Sequence, residues 1–600
     1  MATDSLTWQE LRDVKRFEFD DAARAWREVS SRSAADRDTV RRGMNKLIET
    51  QESEASHSAV KRLDRLIRNY EYVYRECGLI RSALSGLSAD LAEPQRRLNE
   101  ALEEAASLSL TVNPDGSVSY PSAIVGSHGG GGCVSGGTAR AGFPNPLTPP
   151  VAGDGKPPRI VPDVPDGDRF RVDFHLNPKA TQAQDIADRI AGAVRAAAGV
   201  DHRYAQTFAR LKAAKGLDVT EAMMKDVLHD TADVGAAATG RLAATVPDGA
   251  PPAEVRKWWE ELSDAQRREF MEVAPDMIGM LDGIPAATRD EANRAHLPVL
   301  IAQLERQGGE QDMVAGLRKI EGKLRDYNPI PMYLLGIGAE GNGRAIISYG
   351  NPDTSRNVSA YVPGLQTRLD EKFAGGTVER AYDTAQGAQE FDKSTASIIW
   401  LGYDAPQSLD VMSTGDAERG APAYNRFMAG LAATSQVDDP HVTAIGHSYG
   451  SLTVGTAAKQ SGGIPGVDDV ILVGSPGVGV DKAADLGVPA ERVYVGAADN
   501  DIVTKLPSKG EAATWPSPPP LAGAALVGFV DDDIYFGKDP ASEAFGAQRF
   551  AVEDGPSPLT TGKLFAAHSE YFSPGKDPVS AENIARIVSG AYDIKREEPR

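Results

Sequence analysis

Cysteine is nearly missing from this chain: there are two in 600 residues, Cys77 and Cys133. That excludes a disulfide framework and a thiolate metal cluster, and no other metal-ligand spacing is present, so neither metal nor cofactor is expected. Long apolar runs are missing too. The longest candidate, 521–530, is too short to span a bilayer, and the N-terminal MATDSLTWQELRDVKRF has no apolar stretch that could act as a Sec signal. The expectation is a cytoplasmic protein without a transmembrane segment, with signal-peptide-independent secretion as the alternative. Basic residues are outnumbered 64 to 85, for a net charge of −21. Phosphate backbones are bound by clustered Lys and Arg, so a nucleic-acid partner is not expected and the acidic surplus reads as solvated surface. Histidine is also scarce, at nine.

What is present falls into four stretches. Residues 1–121 read as a helical N-terminal region ending in a β-hairpin. Val60, Leu63, Ile67, Tyr70 and Tyr74 recur at helical spacing, and LSLTVNPDGSVSY (108–120) alternates around Asn113-Pro114-Asp115-Gly116. Apolar stripes of this kind must bury against something. A hairpin or bundle packed on itself is one solution; a helical protein partner is the other, with a likeness to type VII secretion substrates through the Y-x-x-x-E of Tyr72 to Glu76, although no W-x-G turn accompanies it. Residues 122–165 read as a Gly/Pro-rich linker and 166–328 as a helical cap or buttress region, with Ile186, Ile190 and Val194 on one face and bulky Trp258 and Trp259 as packing material. From 329 to 600 the rhythm becomes strand, glycine turn, strand, helix. The expected fold class is α/β: a mostly parallel sheet with an antiparallel start and helices on both faces.

Within that last stretch, VTAIGHSYGSLTVG (442–455) places Ser448 between Gly446 and Gly450, where a buried strand meets a small-residue helix. Such an elbow holds the serine hydroxyl clear of the sheet and aims helix N–H groups at any oxyanion formed beside it. The bare G-x-S-x-G pattern is common; the strand and helix around it carry the inference. A serine nucleophile needs a base, and in folds of this order an acid and then a histidine follow it. Only His568 lies beyond Ser448. The acid is sought after the strand at 492–497, where ADNDIV offers Asp501 and, as an alternative, Asp499. Asp501 is favoured because Ile502 and Val503 can seat the loop with the carboxylate turned inward. Oxyanion donors are expected from the Tyr449 N–H and from the Gly364-Leu365 loop, Leu365 first.

Beyond the serine motif, VPGLQT (362–367), WLGYDAP (400–406), VGSPGVGVD (473–481), VYVGAADNDIV (493–503), FGAQRF (545–550), HSEYF (568–572) and NIARIVSG (583–590) occur in one order. Together they resemble the actinobacterial α/β-hydrolase family formerly known only as a domain of unknown function, over about the last 270 residues. WWEELSDAQRREF and MIGMLDGIPAATRDEANR, upstream, are similar to a helical segment often found there, with Met280 where Asn is expected. The resemblance implies an α/β-hydrolase domain and serine hydrolase chemistry on a small-molecule or lipid ester. A carboxylesterase or lipase-like acyl hydrolase is the leading expectation. The competing one is a catalytically degenerate scaffold whose N-terminal helices serve partner binding or type VII-like secretion. An apolar rim or lid over the site is a further expectation for 504–530.

Overall fold

The computed structural model describes residues 6–50, 53–125, 132–142, 177–211, 219–220, 222–231, 234, 245–247, 249–408, 413–508 and 533–600. The chain divides into two compact units, Met1–Arg241 and Leu242–Arg600. Among the described residues no helix is long and apolar enough to cross a membrane.

The first unit is built on a helical hairpin, Arg16–Thr50 and Glu54–Ser107. Arg16 Nε donates to Gln95 Oε1, Ser30 Oγ to the Tyr74 carbonyl and Arg37 Nη1 to Glu71 Oε2, so one number falls as the other rises and the helices run antiparallel. The apolar stripe of the longer helix is covered from elsewhere in the unit: Leu87, Leu91 and Leu98 cluster with Ile186, Ile190 and Ala197, and Tyr72 and Leu79 with Val219, Val227 and Val234. Tyr72 and Glu76 are buried, at 6% and 4% exposure. Both ends of the Y-x-x-x-E pattern are thus covered within this unit. The expected hairpin forms with Thr111 opposite Ser119 and Val112 opposite Val118, and Gly137–Ala139 adds a third strand beside Val118–Tyr120.

Two sequence-based boundaries need correction. The stretch 122–165 is not linker throughout: Ala123–Val125 pairs antiparallel with Gly132–Val134, and Gly137–Ala139 belongs to the three-stranded sheet. Glycine there permits close approach, since a Cβ on Gly137 would lie 2.5 Å from the Tyr120 hydroxyl oxygen. The rest of that linker, 143–165, and His128 lie outside the described residues, as does the part of the expected lid at 509–530. Nor is 166–328 one region. Helix Pro178–Arg210 buries Ile186, Ile190, Ala197 and Val200 with Leu87, Leu91 and Leu98 in the first unit, while Pro252–Glu261 to Gln311–Arg325 belong to the second. A fragment beginning at Leu242 is accordingly expected to melt cooperatively and stay soluble. One beginning at 166 carries a helix stripped of its apolar partner and is expected to aggregate; size-exclusion chromatography of the two fragments checks this.

The second unit is organised around an eight-stranded sheet. Its strands are β1 (Met332–Gly338), β2 (Arg344–Tyr349), β3 (Asn357–Val362), β4 (Thr395–Leu401), β5 (His441–His447), β6 (Asp469–Val473), β7 (Val493–Gly496) and β8 (Gln548–Arg549). They lie in the order β8-β7-β6-β5-β3-β4-β2-β1, with β1 and β2 antiparallel and β3 through β8 parallel. The α/β expectation is met. Continuous apolar runs follow from burial on both faces: Trp400, Tyr424, Phe427 and Leu452 pack on one, Ile399, Ile445, Leu317 and Ile584 on the other. Met280 Sδ accepts the Ile337 N–H at 3.1 Å, so the sulfur holds a backbone donor of β1 at the position where Asn was expected. Arg289 pairs with Asp282 and Arg294 with Asp290.

Strand register fixes where loops emerge. Gly446 of β5 is opposite Val362 of β3, His447 opposite Val473 of β6, and Val473 opposite Gly496 of β7. The residues that follow, Pro363 to Leu365, Ser448, Gly474 and 497–501, therefore leave one edge of the sheet together. In open parallel sheets that carboxyl edge is where ligands bind.

Candidate active site

Ser448 sits at the end of β5 with φ +58° and ψ −133°, directly before helix Tyr449–Ala458. A side chain in this region costs about 1–3 kcal/mol, which the surrounding packing must hold in place. The flanking glycines show how tightly. A Cβ on Gly450 would lie 2.1 Å from the Val362 carbonyl oxygen, and one on Gly446 2.6 Å from Ser451 Cα. Only glycine lets the helix pass so close to β3 and β5.

His568 follows on a short turn, Ala567–Ser569, and its Nδ1 lies 2.9 Å from Asp501 Oδ2. Asp501 is completely buried, and both its oxygens are used: Oδ1 accepts the Val503 N–H at 2.9 Å, while Oδ2 also accepts the Tyr571 hydroxyl at 2.7 Å. Burial alone would raise the Asp501 pKa, but His568, Tyr571 and the Val503 amide together outweigh it and hold the carboxyl below its ordinary value. Tyr571 is pushed well above its ordinary value by burial and by Asp501, so it stays a donor. Asp499 is placed elsewhere: its side chain is 67% exposed, and its nearest cation is Arg600 at 3.9 Å.

The loop after β3 passes over the elbow, where a Cβ on Gly364 would stand 2.6 Å from Ser448 Cβ and 2.7 Å from the Tyr449 nitrogen. The Tyr449 N–H is the first of its helix and lacks an intrahelical acceptor, and the Leu365 N–H has no partner among the described residues. The Tyr449 N–H thus lies beside the serine, and the Gly364-Leu365 loop passes over it. A cavity of about 260 Å³ opens here, bounded by Gly364, Leu365, His447, Ser448 and His568. Ser448 Oγ and His568 Nε2 carry no hydrogen bond within the described residues, to each other or otherwise. Nucleophile–base contacts are often long in unliganded sites and tighten with substrate.

Three further groups shape the site: His447, Arg380 and Gly474. His447 stacks on His568 with ring centroids 4.6 Å apart, and its Nε2–H donates to the His568 carbonyl at 2.8 Å. Its Nδ1 accepts from Arg380 Nη1 at 3.2 Å, and Arg380 also donates to the Tyr361 oxygen at 2.6 Å. Burial first, then the fields of His568 and Arg380, push the His447 pKa well below its ordinary value, so it is a neutral strut that fixes the backbone of His568. Gly474, with φ +57°, is the third: a Cβ there would lie 2.9 Å from both Asp501 Oδ2 and His568 Nδ1. Gly474→Ala is therefore expected to lower the kcat/KM of any hydrolysis that uses the His568–Asp501 pair by about 100-fold, by displacing that pair. It should also lower stability by about 1–2 kcal/mol from the left-handed backbone, read from urea titrations.

A family model described as alpha/beta hydrolase matches residues 339–510. An uncharacterized protein of Mycobacterium tuberculosis strain H37Rv is similar at 30% identity over 386 residues, covering 58% of this chain and 57% of that protein. A second uncharacterized protein of that strain is 34% identical over 221 residues, 35% of this chain and 82% of the relative, and one of Mycobacterium bovis matches to the same extent. The chain spans 57% of the length of the first of these relatives.

Proposed function

The chain belongs to the alpha/beta hydrolase family, and from that premise we propose that it is a serine hydrolase acting on ester bonds through an acyl-enzyme. The observation that carries this reading is the buried Asp501 carboxylate held 2.9 Å from His568 Nδ1. With Nδ1 so engaged, Nε2 is left as the basic nitrogen that can accept the serine proton.

Ser448 Oγ attacks the acyl carbonyl while His568 Nε2 takes its proton, and the carbonyl oxygen becomes an oxyanion facing the Tyr449 and Leu365 N–H groups. Collapse breaks the ester C–O bond, and His568 returns the proton to the leaving alcohol. Water then repeats the sequence on the acyl-serine: His568 accepts its proton, Ser448 leaves, and the carboxylic acid is released. Asp501 keeps the imidazole in the required tautomer and stabilises imidazolium throughout. The cavity of about 260 Å³ is just below the roughly 300 Å³ at which pockets for drug-sized ligands begin, which favours a short acyl group over a long lipid chain.

The test is labelling of the full chain with a fluorophosphonate probe, with the modified peptide mapped, alongside turnover of p-nitrophenyl esters of graded chain length. Labelling at Ser448 and best turnover of short acyl chains is the expected result. A folded protein that neither labels nor turns over ester would instead be a scaffold without this chemistry.

A further inference from the structure

The cavity at Ser448 is cationic in a chain whose net charge is −21. Arg368, Lys372 and Arg380 line it against one carboxylate, Asp370. Two of these cancel: Arg368 Nε lies 3.2 Å from Asp370 Oδ2, Asp370 Oδ1 accepts the Phe373 N–H at 2.8 Å, and Arg368 also pairs with Asp312 at 2.7 Å. Arg380 is different. Its Nη1 reaches only the neutral acceptors Tyr361 and His447, its guanidinium lies 5.7 Å from the Phe572 ring centroid, and no carboxylate pairs with it among the described residues. Lys372, exposed at the rim, has no carboxylate partner there either.

A half-buried guanidinium without a counter-charge is costly, and bracing His447 needs only one neutral N–H donor. The charge is thus unexplained by the strut. Guanidinium carries five N–H groups, and its planar fork suits carboxylate and phosphate oxygens. Leu365, Val503, Leu506 and Phe565 form an apolar part of the cavity wall, beside the polar Gln366, Thr367, Thr377 and Ser569.

We propose that the ester cleaved at Ser448 carries an anionic carboxylate or phosphate group, received by the Arg380 guanidinium with Lys372 at the rim, while a short alkyl portion lies against the apolar wall. This rests on the serine hydrolase reading above. It makes Arg380 the specificity-determining residue and short hemiesters with an anionic end the substrate class.

The test compares kcat/KM of the full chain on p-nitrophenyl hemiglutarate with that on the neutral p-nitrophenyl hexanoate. A charge-assisted contact predicts an excess of about 10- to 100-fold for the hemiester. R380Q should bring that ratio close to one, R380K should restore part of it, and K372Q should lower it less. The ratio is taken within each variant, so a general loss from an unbraced His447 cancels. Should R380Q fail to fold, K372Q and the decline of the wild-type ratio with added salt decide the matter. Glutarate and inorganic phosphate, as competitive inhibitors of hexanoate turnover, distinguish a carboxylate from a phosphate ligand. Failure of both to inhibit, or a wild-type ratio of one alongside Ser448 labelling, overturns the anion site alone. Absence of both labelling and turnover overturns the hydrolase reading and this inference with it.

Discussion

Ser448→Ala is expected to abolish ester turnover, by about six powers of ten in kcat, with little change in stability. The magnitude is that of losing the nucleophile from a triad that acts as a unit. Stability should hold because Oγ has no hydrogen-bond partner among the described residues, so its removal orphans nothing. Alanine also adopts the same φ of +58° at the same cost as serine, both carrying a Cβ. Circular dichroism melts of the two proteins should superimpose, while p-nitrophenyl ester turnover and fluorophosphonate labelling vanish in the variant. Retention of turnover within a factor of ten, in protein free of contaminating esterase, would place the nucleophile elsewhere.

Much of the fold of the second unit was legible because its signals are local. Ser448 is announced by two glycines and the junction of an apolar strand with a small-residue helix, and His568 by being the sole histidine after it. Those signals hold at short range or by order alone. Arg380 and Tyr361 meet His447 across 67 and 86 residues, and nothing near either one marks the encounter, because the sheet register and not the local pattern brings them together. Helix Pro178–Arg210 teaches the same lesson. Its stripe of Ile186, Ile190 and Ala197 states that one face is buried but not against what, and the partner turned out to be Leu87, Leu91 and Leu98 about a hundred residues earlier. The strands between 123 and 139 were hidden by glycine, which serves a linker and a close backbone contact equally well.

Asp501→Asn is expected to lower kcat by about four powers of ten, the scale on which a triad histidine fails in the wrong tautomer. An amide offers one acceptor oxygen where the carboxylate offers two, and the site uses both: Val503 N–H on Oδ1, His568 and Tyr571 on Oδ2. If the amide nitrogen takes the Oδ2 position, it donates to His568 Nδ1, the imidazole proton moves to Nε2, and no lone pair remains to accept the serine proton. The opposite flip sets the amide nitrogen against the Val503 N–H, two donors facing each other at 0% exposure. Either arrangement leaves a buried polar group unsatisfied, so a stability loss of about 1–3 kcal/mol should accompany the loss of rate. Asp499→Asn changes a side chain that is 67% exposed, has no close ion pair and does not touch His568, so its kcat and melting point should match the parent. Steady-state kinetics on the two variants decides between the carboxylates. An Asp499→Asn protein more impaired than Asp501→Asn, or an Asp501→Asn protein within tenfold of the parent, would show that the buried carboxylate does not govern the tautomer of His568.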